Sequence, residues 1–311
     1  SYAGGAGGGR VAIRYGTDSF GGTMGAGGNS GRGTEGGAGT QYMKQTSQTY
    51  GDLEVDNGGL VGLTTPLLSG GSPYQFDGIV ISNAGHLDVE SGSTLTMGDT
   101  TCTVGSGILE INGVLESDSL TTLTVGDGGQ FLDHGTWSQD VLATIVVQDG
   151  GYAEVGEAMS SLTSLDVQTG GELTTVDTCS MDSLAGIVVN GLFVVGGTYS
   201  ASSLTSMTIN GEVALGGVYS FPSVMVMDIN SGGVLTHTVN TATKVNYIDL
   251  TLSSLTVDSG GSIDVGGKGY SGGTSGSGNV NGKGTGGGVG AYFSVTDYGG
   301  NPVRGAGAGG Y

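Results

Sequence analysis

Three short stretches near the middle of the chain share one pattern: LTVGDGG at residues 123–129, IVVQDGG at 145–151 and LDVQTGG at 165–171. Apolar and polar residues alternate before each turn, which is typical of a short β-strand with one buried face. The Asp-Gly and Gly-Gly pairs that follow tolerate the positive φ of a sharp corner. Each stretch is therefore predicted to be a strand that ends in a tight turn.

The same pattern recurs along most of the chain. Later copies are IVVNG (187–191), MTING (207–211), MDINSGG (227–233) and LTVDSGG (255–261), and weaker copies are LEVDNGG (53–59) and VISNAG (80–85). From Val125 to Ile229 the equivalent residue returns every 20 or 22 positions. Repeats of about 20 residues are the signature of solenoids, in which each coil covers the apolar face of the next.

The sequence therefore predicts an all-β fold, a right-handed parallel β-solenoid with Gly-rich terminal segments. An antiparallel sandwich or a propeller is the alternative, but the near-constant spacing of a single motif favours the solenoid. Two columns of side chains should then face the core. They are Leu123, Ile145, Leu165, Ile187, Met207 and Met227, and Val125, Val147, Val167, Val189, Ile209 and Ile229.

Composition divides the chain into three zones: a Gly-rich segment (1–40), the repeats (41–265) and a second Gly-rich segment (266–311). Glycine supplies 68 of the 311 residues, about three times the average usage of about 7%. Because 36% of the residues are hydrophobic, the chain can still bury a core. The two ends would run smoothly into each other, and no initiator Met is present, so we expect a piece of a longer array.

The charge balance excludes several classes of partner. There are 8 basic and 28 acidic residues, a formal net charge of -20. Nucleic-acid binding needs clustered cations, and anionic membrane surfaces repel such a chain. The apolar runs are far too short to cross a bilayer. The expected partners are copies of the same chain, head to tail, and glycans or cell surfaces, in an extracellular setting.

Three stretches resemble a known class of protein: GGGRVAIRY (7–15), GGAGTQYMK (36–44) and QTYGDLEVDN (48–57). Their pattern resembles that of very large, repetitive, Gly-rich bacterial surface proteins related to filamentous adhesins and autotransporter passengers. The resemblance implies a parallel β-helix of the pectate-lyase-like type. It carries over no catalytic residue.

The side chains capable of chemistry are sparse. His86, His134 and His237 lie beside repeat turns or strands without a metal-binding or catalytic spacing. A β-helical lyase needs cations and a base, yet Lys244 is the one cation between Leu53 and Val265. A hydrolase that uses two carboxylates remains an alternative, but the aspartates are better explained as turn residues. The chain is expected not to be an enzyme.

Calcium is the one cofactor that the sequence suggests. Asp56, Asp127 and Asp149 stand at turns, where carboxylate oxygens suit a hard cation, although the nonapeptide calcium-roll repeat is absent. Cys102 and Cys179 lie about four coils apart. At about 4.8 Å per strand they exceed the bridging limit of about 7 Å, so two buried free thiols are predicted.

The function predicted from these features is mechanical: a structural subunit or repeat unit of an extracellular filament or surface layer that assembles end to end. An adhesin stalk and a carbohydrate-binding or carbohydrate-cleaving β-helix are the alternatives, and an ice-binding face is less favoured because the outward threonines are irregular. Tyrosines in the Gly-rich ends would supply flat contact area for self-association. They are Tyr2, Tyr15, Tyr292, Tyr298 and Tyr311.

Overall fold

The computed structural model describes residues 4–17, 23–31, 33–117, 119–139, 141–223, 225–240 and 245–269. Over these residues the chain is a parallel β-solenoid of about eight turns. Its single helical element in the described ranges is a 3-10 turn at Ser69–Gly71. The predicted all-β solenoid is confirmed, and the sandwich and the propeller are excluded.

The strands are short, and most have four residues. In chain order they begin with β1 (Arg10–Tyr15), β2 (Thr40–Gln45), β3 (Asp52–Asp56), β4 (Thr65–Leu67), β5 (Tyr74–Phe76), β6 (Ile79–Ser82), β7 (His86–Val89), β8 (Thr94–Met97), β9 (Thr101–Val104) and β10 (Ile108–Ile111). Next come β11 (Val114–Ser117), β12 (Thr122–Val125), β13 (Gln130–Asp133), β14 (Thr136–Gln139), β15 (Thr144–Val147), β16 (Tyr152–Val155), β17 (Ser164–Val167), β18 (Glu172–Thr175), β19 (Thr178–Ser180) and β20 (Gly186–Val189). The last are β21 (Leu192–Val195), β22 (Thr198–Ser200), β23 (Ser206–Ile209), β24 (Glu212–Leu215), β25 (Val218–Ser220), β26 (Val226–Ile229), β27 (Val234–His237), β28 (Ser254–Val257) and β29 (Ser262–Ile263).

These strands form four sheets that wrap the core. Sheet A runs β1-β2-β3-β6-β9-β12-β15-β17-β20-β23-β26-β28, and sheet B runs β4-β7-β10-β13-β16-β18-β21-β24-β27-β29. The third side is sheet C (β5-β8-β11-β14) in the first coils and sheet D (β19-β22-β25) in the later ones. Each coil therefore places one strand in sheet A and the next in sheet B.

The two predicted core columns are confirmed. Leu123 pairs with Ile145, Ile145 with Leu165, Ile187 with Met207, and Met207 with Met227, all in parallel register. Every member of both columns is buried. Because side chains alternate across a strand, the same register turns the intervening residues outward. The prediction held because the apolar residues of each copy sit at the same two strand positions.

Large aromatic rings fill the corner between sheet B and the third side. Phe131 lies 5.4 Å from Trp137, and Phe193 lies 5.9 Å from Tyr199, measured between ring centroids. Cys102 and Cys179 are buried free thiols, as predicted. Burial raises the pKa of both thiols to about 12, so they pack as small apolar residues.

The N-terminal end is built differently, from extended glycine-rich chains that we term the glycine bundle (residues 4–9, 25–31 and 34–39). Backbone-to-backbone hydrogen bonds join its chains: Gly5 N donates to Thr34 O (2.6 Å), Gly8 N to Gly37 O (2.9 Å) and Gly39 N to Ala26 O (2.6 Å). The side chain of Asn57 adds two bonds, accepting from Gly28 N and donating to Gly36 O. The first two bonds are three residues apart on both chains, which is the period of a polyproline II helix. Glycine is required here because a Cβ on Gly8 would stand 1.7 Å from the carbonyl oxygen of Ala26.

The strand direction reverses where the glycine bundle meets the solenoid. β1 is parallel to β2, but β2 is antiparallel to β3, and every later pairing is parallel. The predicted boundary at residue 41 falls inside β2, one strand before the parallel coils begin.

Candidate functional site: the ends and outward faces of the solenoid

The C-terminal end of the described solenoid is open. β28 and β29 are the last strands of sheets A and B, and no described strand pairs with their outer edges. Leu255 and Val257 continue the two core columns, yet they are 47% and 42% exposed, and Ile263 and Val265 are similarly exposed. Among the described residues this end therefore presents apolar core side chains together with strand edges that no described strand pairs, which is the form of a sheet edge that pairs with another chain.

The two ends of the described solenoid differ in charge, with cations on the first strands and aspartates around the last ones. β1 forms the other edge of sheet A and carries Arg10 and Arg14, and Lys44 lies beside Arg14 on β2. At the C-terminal end Asp249, Asp258 and Asp264 are exposed. In the described part of the chain no Lys or Arg forms an ion pair with a carboxylate. Arg10, Arg14 and Lys44 are therefore not neutralised by a described carboxylate. They can pair with the aspartates at the C-terminal end of a second copy.

Most of the predicted self-association tyrosines fall outside the described residues. These are Tyr2, Tyr292, Tyr298 and Tyr311. Tyr15 is the last residue of β1 and is partly buried. On the neighbouring strand β2, the ring of Tyr42 makes a cation–π contact with the Arg14 guanidinium, whose carbon lies 5.5 Å from the ring centroid. The prediction on the tyrosines stays untested.

The three calcium candidates are not brought together. Asp56 accepts hydrogen bonds from Gly58 N (2.6 Å) and from Asn83 Nδ2 (2.8 Å). Asp127 and Asp149 occupy the turns of two successive coils, and each carboxylate lies over the glycine of the following turn. Over the residues that the structure describes, no group of three or more His, Cys, Asp or Glu side chains is arranged to hold a metal ion.

A polar ladder on the outward face of sheet B was not predicted. Glu110 contacts His86 Nε2 at 2.9 Å and His134 Nδ1 at 3.8 Å, and Glu154 contacts His134 Nε2 at 2.9 Å. Tyr152 donates to the second oxygen of Glu154 (2.8 Å). Its pKa rises to about 12, first because of burial and then because of this bond. The signal was the spacing, since these residues recur 20 or 24 positions apart, once in each successive coil of sheet B.

One acid faces the core itself. Asp133 ends β13 at an inward position beside Ile111 of the preceding coil and is 1% exposed. Neither of its carboxyl oxygens has a hydrogen-bond partner within normal bonding distance, although the N–H groups of Gly156 and Gly135 face it. Burial raises its pKa to about 7, with a smaller contribution from Glu157. Asp133 is therefore held mostly protonated below neutral pH, because the core offers it no compensating charge.

The chain matches no protein-family model, no curated protein and no solved structure. In the ranges that the structure describes, no helix has the length and apolar character needed to cross a membrane. The β-helical architecture is established by the strand pairing, whereas the resemblance to adhesins and autotransporter passengers stays a prediction.

Proposed function

We propose that the chain is a structural subunit, or one repeat unit, of an extracellular filament or surface layer that assembles end to end. The observation that carries the proposal is the open C-terminal end, where Leu255 and Val257 leave the core columns uncovered. Isolated solenoids need a polar cap on a terminal coil to stay soluble. A second copy placed on this end supplies that cover and continues the backbone ladder.

The opposite end fits as the partner surface. β1 offers a strand edge that no described strand covers, and it belongs to the same sheet as β28. Its arginines would lie against the acidic residues around β28, and charge complementarity of this kind fixes the register and orientation of two surfaces. The contact is heterologous, since it joins two different surfaces, and repetition of such a contact gives a filament when the ring does not close.

The test is self-association of the purified protein with one altered end. Val257→Asp places a charge on the open coil and is expected to leave monomers, as observed by sedimentation velocity and negative-stain electron microscopy. Val188→Asp is the matched control. Val188 lies on the same sheet and is 46% exposed, but it points outward from the middle of the solenoid, so this variant should assemble like the unaltered chain.

The outcomes separate clearly. Linear particles for the unaltered chain and for Val188→Asp, with monomers for Val257→Asp, support the proposal. The proposal is contradicted if the unaltered chain stays a monodisperse monomer over a wide range of concentration and salt, and if deletion of residues 1–40 changes nothing. That result would favour a stalk or a binding module. Equal loss of assembly in both variants would show that added charge acts through the acidic body and not through the end.

A further inference from the structure

A second feature lies on the outward face of sheet A, beside the first coils. It is a shallow pocket of about 410 Å³, which we term the acidic pocket. Its floor is apolar and includes the side chains of Met43 and Val80, and its rim carries Asp52, Glu54 and Asp99. No Lys or Arg lines it, so the charged side chains among its lining residues are all acidic.

Two carboxylates converge on one glycine of this pocket. The position that a Cβ of Gly78 would occupy lies 3.1 Å from Asp52 Oδ1 and 3.2 Å from Asp99 Oδ2. The pKa of Asp99 is raised, chiefly by partial desolvation and then by the negative charges of Asp52 and Asp77. Like charges held this close repel each other unless a cation stands between them.

The independent observation is Gln41. This residue lines the acidic pocket and is 3% exposed, and its side-chain oxygen Oε1 is buried without a hydrogen-bond partner. A buried amide oxygen without a hydrogen bond lowers the stability of the fold by about 1–3 kcal/mol, so a native structure rarely keeps one without a reason. Gln41 lies directly across from Glu54 in the β2–β3 pair. The pocket therefore lacks a donor as well as a positive charge.

We propose that the acidic pocket binds an organic cation, namely the guanidinium group of an arginine side chain from another molecule. A guanidinium group offers five N–H donors in a planar fork and pairs with two oxygens of a carboxylate at once. Its donors pair with Asp99, the freer carboxylate, and with the lone pairs that Asp52 still offers, and the opposite edge of the group is available to Gln41 Oε1 on the other side of the pocket. The methylene stem of the arginine packs on Val80, which is 49% exposed.

A bare metal ion fits this pocket less well. Divalent calcium takes six to eight oxygen ligands at about 2.3–2.6 Å, whereas only two carboxylates converge at Gly78. Both oxygens of Asp52 are already engaged, because Gly78 N donates to Oδ1 (3.1 Å) and Gln48 Nε2 to Oδ2 (2.7 Å). Asp99 is the freer member of the pair. The apolar floor adds nothing to the binding of an ion, but it suits an alkyl stem.

The experiment uses two small probes and the full chain. N-acetyl-arginine methylamide is titrated while the side-chain NH₂ resonance of Gln41 is followed by NMR, and the citrulline analogue serves as the neutral isostere. We expect saturable shifts with the arginine probe alone. Asp99→Asn should weaken the affinity about tenfold, the equivalent of 1.4 kcal/mol. Asp228→Asn should leave it unchanged, since Asp228 occupies an outward position of β26, at the far end of the same sheet.

Three results would overturn the proposal. They are equal binding of both probes, equal loss of affinity in Asp99→Asn and Asp228→Asn, and shifts of Gln41 produced by calcium chloride but not by the arginine probe. The self-association of Asp99→Asn, measured separately, identifies the molecule that supplies the arginine. If Asp99→Asn also prevents assembly, the arginine belongs to a second copy. If Asp99→Asn assembles normally yet no longer binds the probe, the arginine belongs to a different molecule. The titration is made in the Val257→Asp background, which is expected to stay monomeric, so its outcome does not depend on end-to-end assembly.

Discussion

The solenoid body and the glycine bundle are both closely packed, but by opposite means. In the body, inward side chains such as Val167 fill the space between sheets, and the backbone ladders stand at the wall. In the bundle most residues are glycine and the chains pack backbone against backbone, so that a Cβ on Gly36 would lie 1.9 Å from Ala6 O. The difference teaches which substitutions each region tolerates: the body tolerates changes of its outward residues, whereas the bundle is limited by the single hydrogen that glycine carries in place of a Cβ.

The largest effect is expected from a charge placed inside the body. Val167 pairs with Val147 and Val189 in the middle of one core column and is fully buried. Val167→Asp should lower the free energy of unfolding by about 5 kcal/mol, because the carboxylate has no partner there. Val188→Asp, an outward change in the next coil, should cost less than about 1 kcal/mol. Urea unfolding followed by circular dichroism measures both, and similar losses in the two variants would contradict the assigned register.

The sequence was sufficient to predict the fold of the body because the same strand-and-turn pattern recurs in each coil. Alternation at residues 123–129 and its spaced copies specified which residues face inward, and stacking followed from that. The sequence alone was insufficient for the acidic pocket and for the ladder at Glu110. Both depend on which outward residues become neighbours one coil later, and that depends on the length of each coil, which varies between 20 and 22 residues in the regular repeats and is longer elsewhere. The pairing of Gly8 with Gly37 carries no local pattern beyond glycine content, so the bundle was expected only as a Gly-rich segment.

A smaller effect, with an unusual sign, is expected from the acid inside the body. The pKa of folded Asp133 is raised to about 7, whereas the unfolded value is about 3.9. Between these values the folded chain holds a proton that the unfolded chain has released, so stability falls as pH rises from about 4 to 7 and is level above that. Asp133→Asn removes this dependence. Its stability relative to the unaltered chain should therefore rise by about 4 kcal/mol over that range.

The control for Asp133 is an acid whose pKa is shifted in the opposite direction. The hydroxyl of Ser180 and the backbone N–H of Ser202 lower the pKa of Asp182. Its contribution to stability is therefore present above the unfolded pKa and is lost as pH falls through the folded pKa. Asp182→Asn should thus lose stability relative to the unaltered chain at neutral pH and regain it in acid. If the difference in stability between Asp133→Asn and the unaltered chain does not change with pH, the Asp133 carboxylate is stabilised by a hydrogen-bond donor or a cation in solution.

The smallest effect is expected in the bundle, where two adjacent glycines give a matched pair. A Cβ on Gly8 would stand 1.7 Å from Ala26 O and 2.3 Å from Gly39 N, whereas nothing lies within 4 Å of a Cβ on Gly9. Gly8→Ala should therefore force the chains apart at a cost of about 2 kcal/mol, and Gly9→Ala should be close to neutral. Because the bundle stands at one end, the loss should remain local. Faster hydrogen exchange at Gly39 N, which donates to Ala26 O, would report it without a change in the body. Equal exchange in the two variants would mean that the chains do not pack through Gly8.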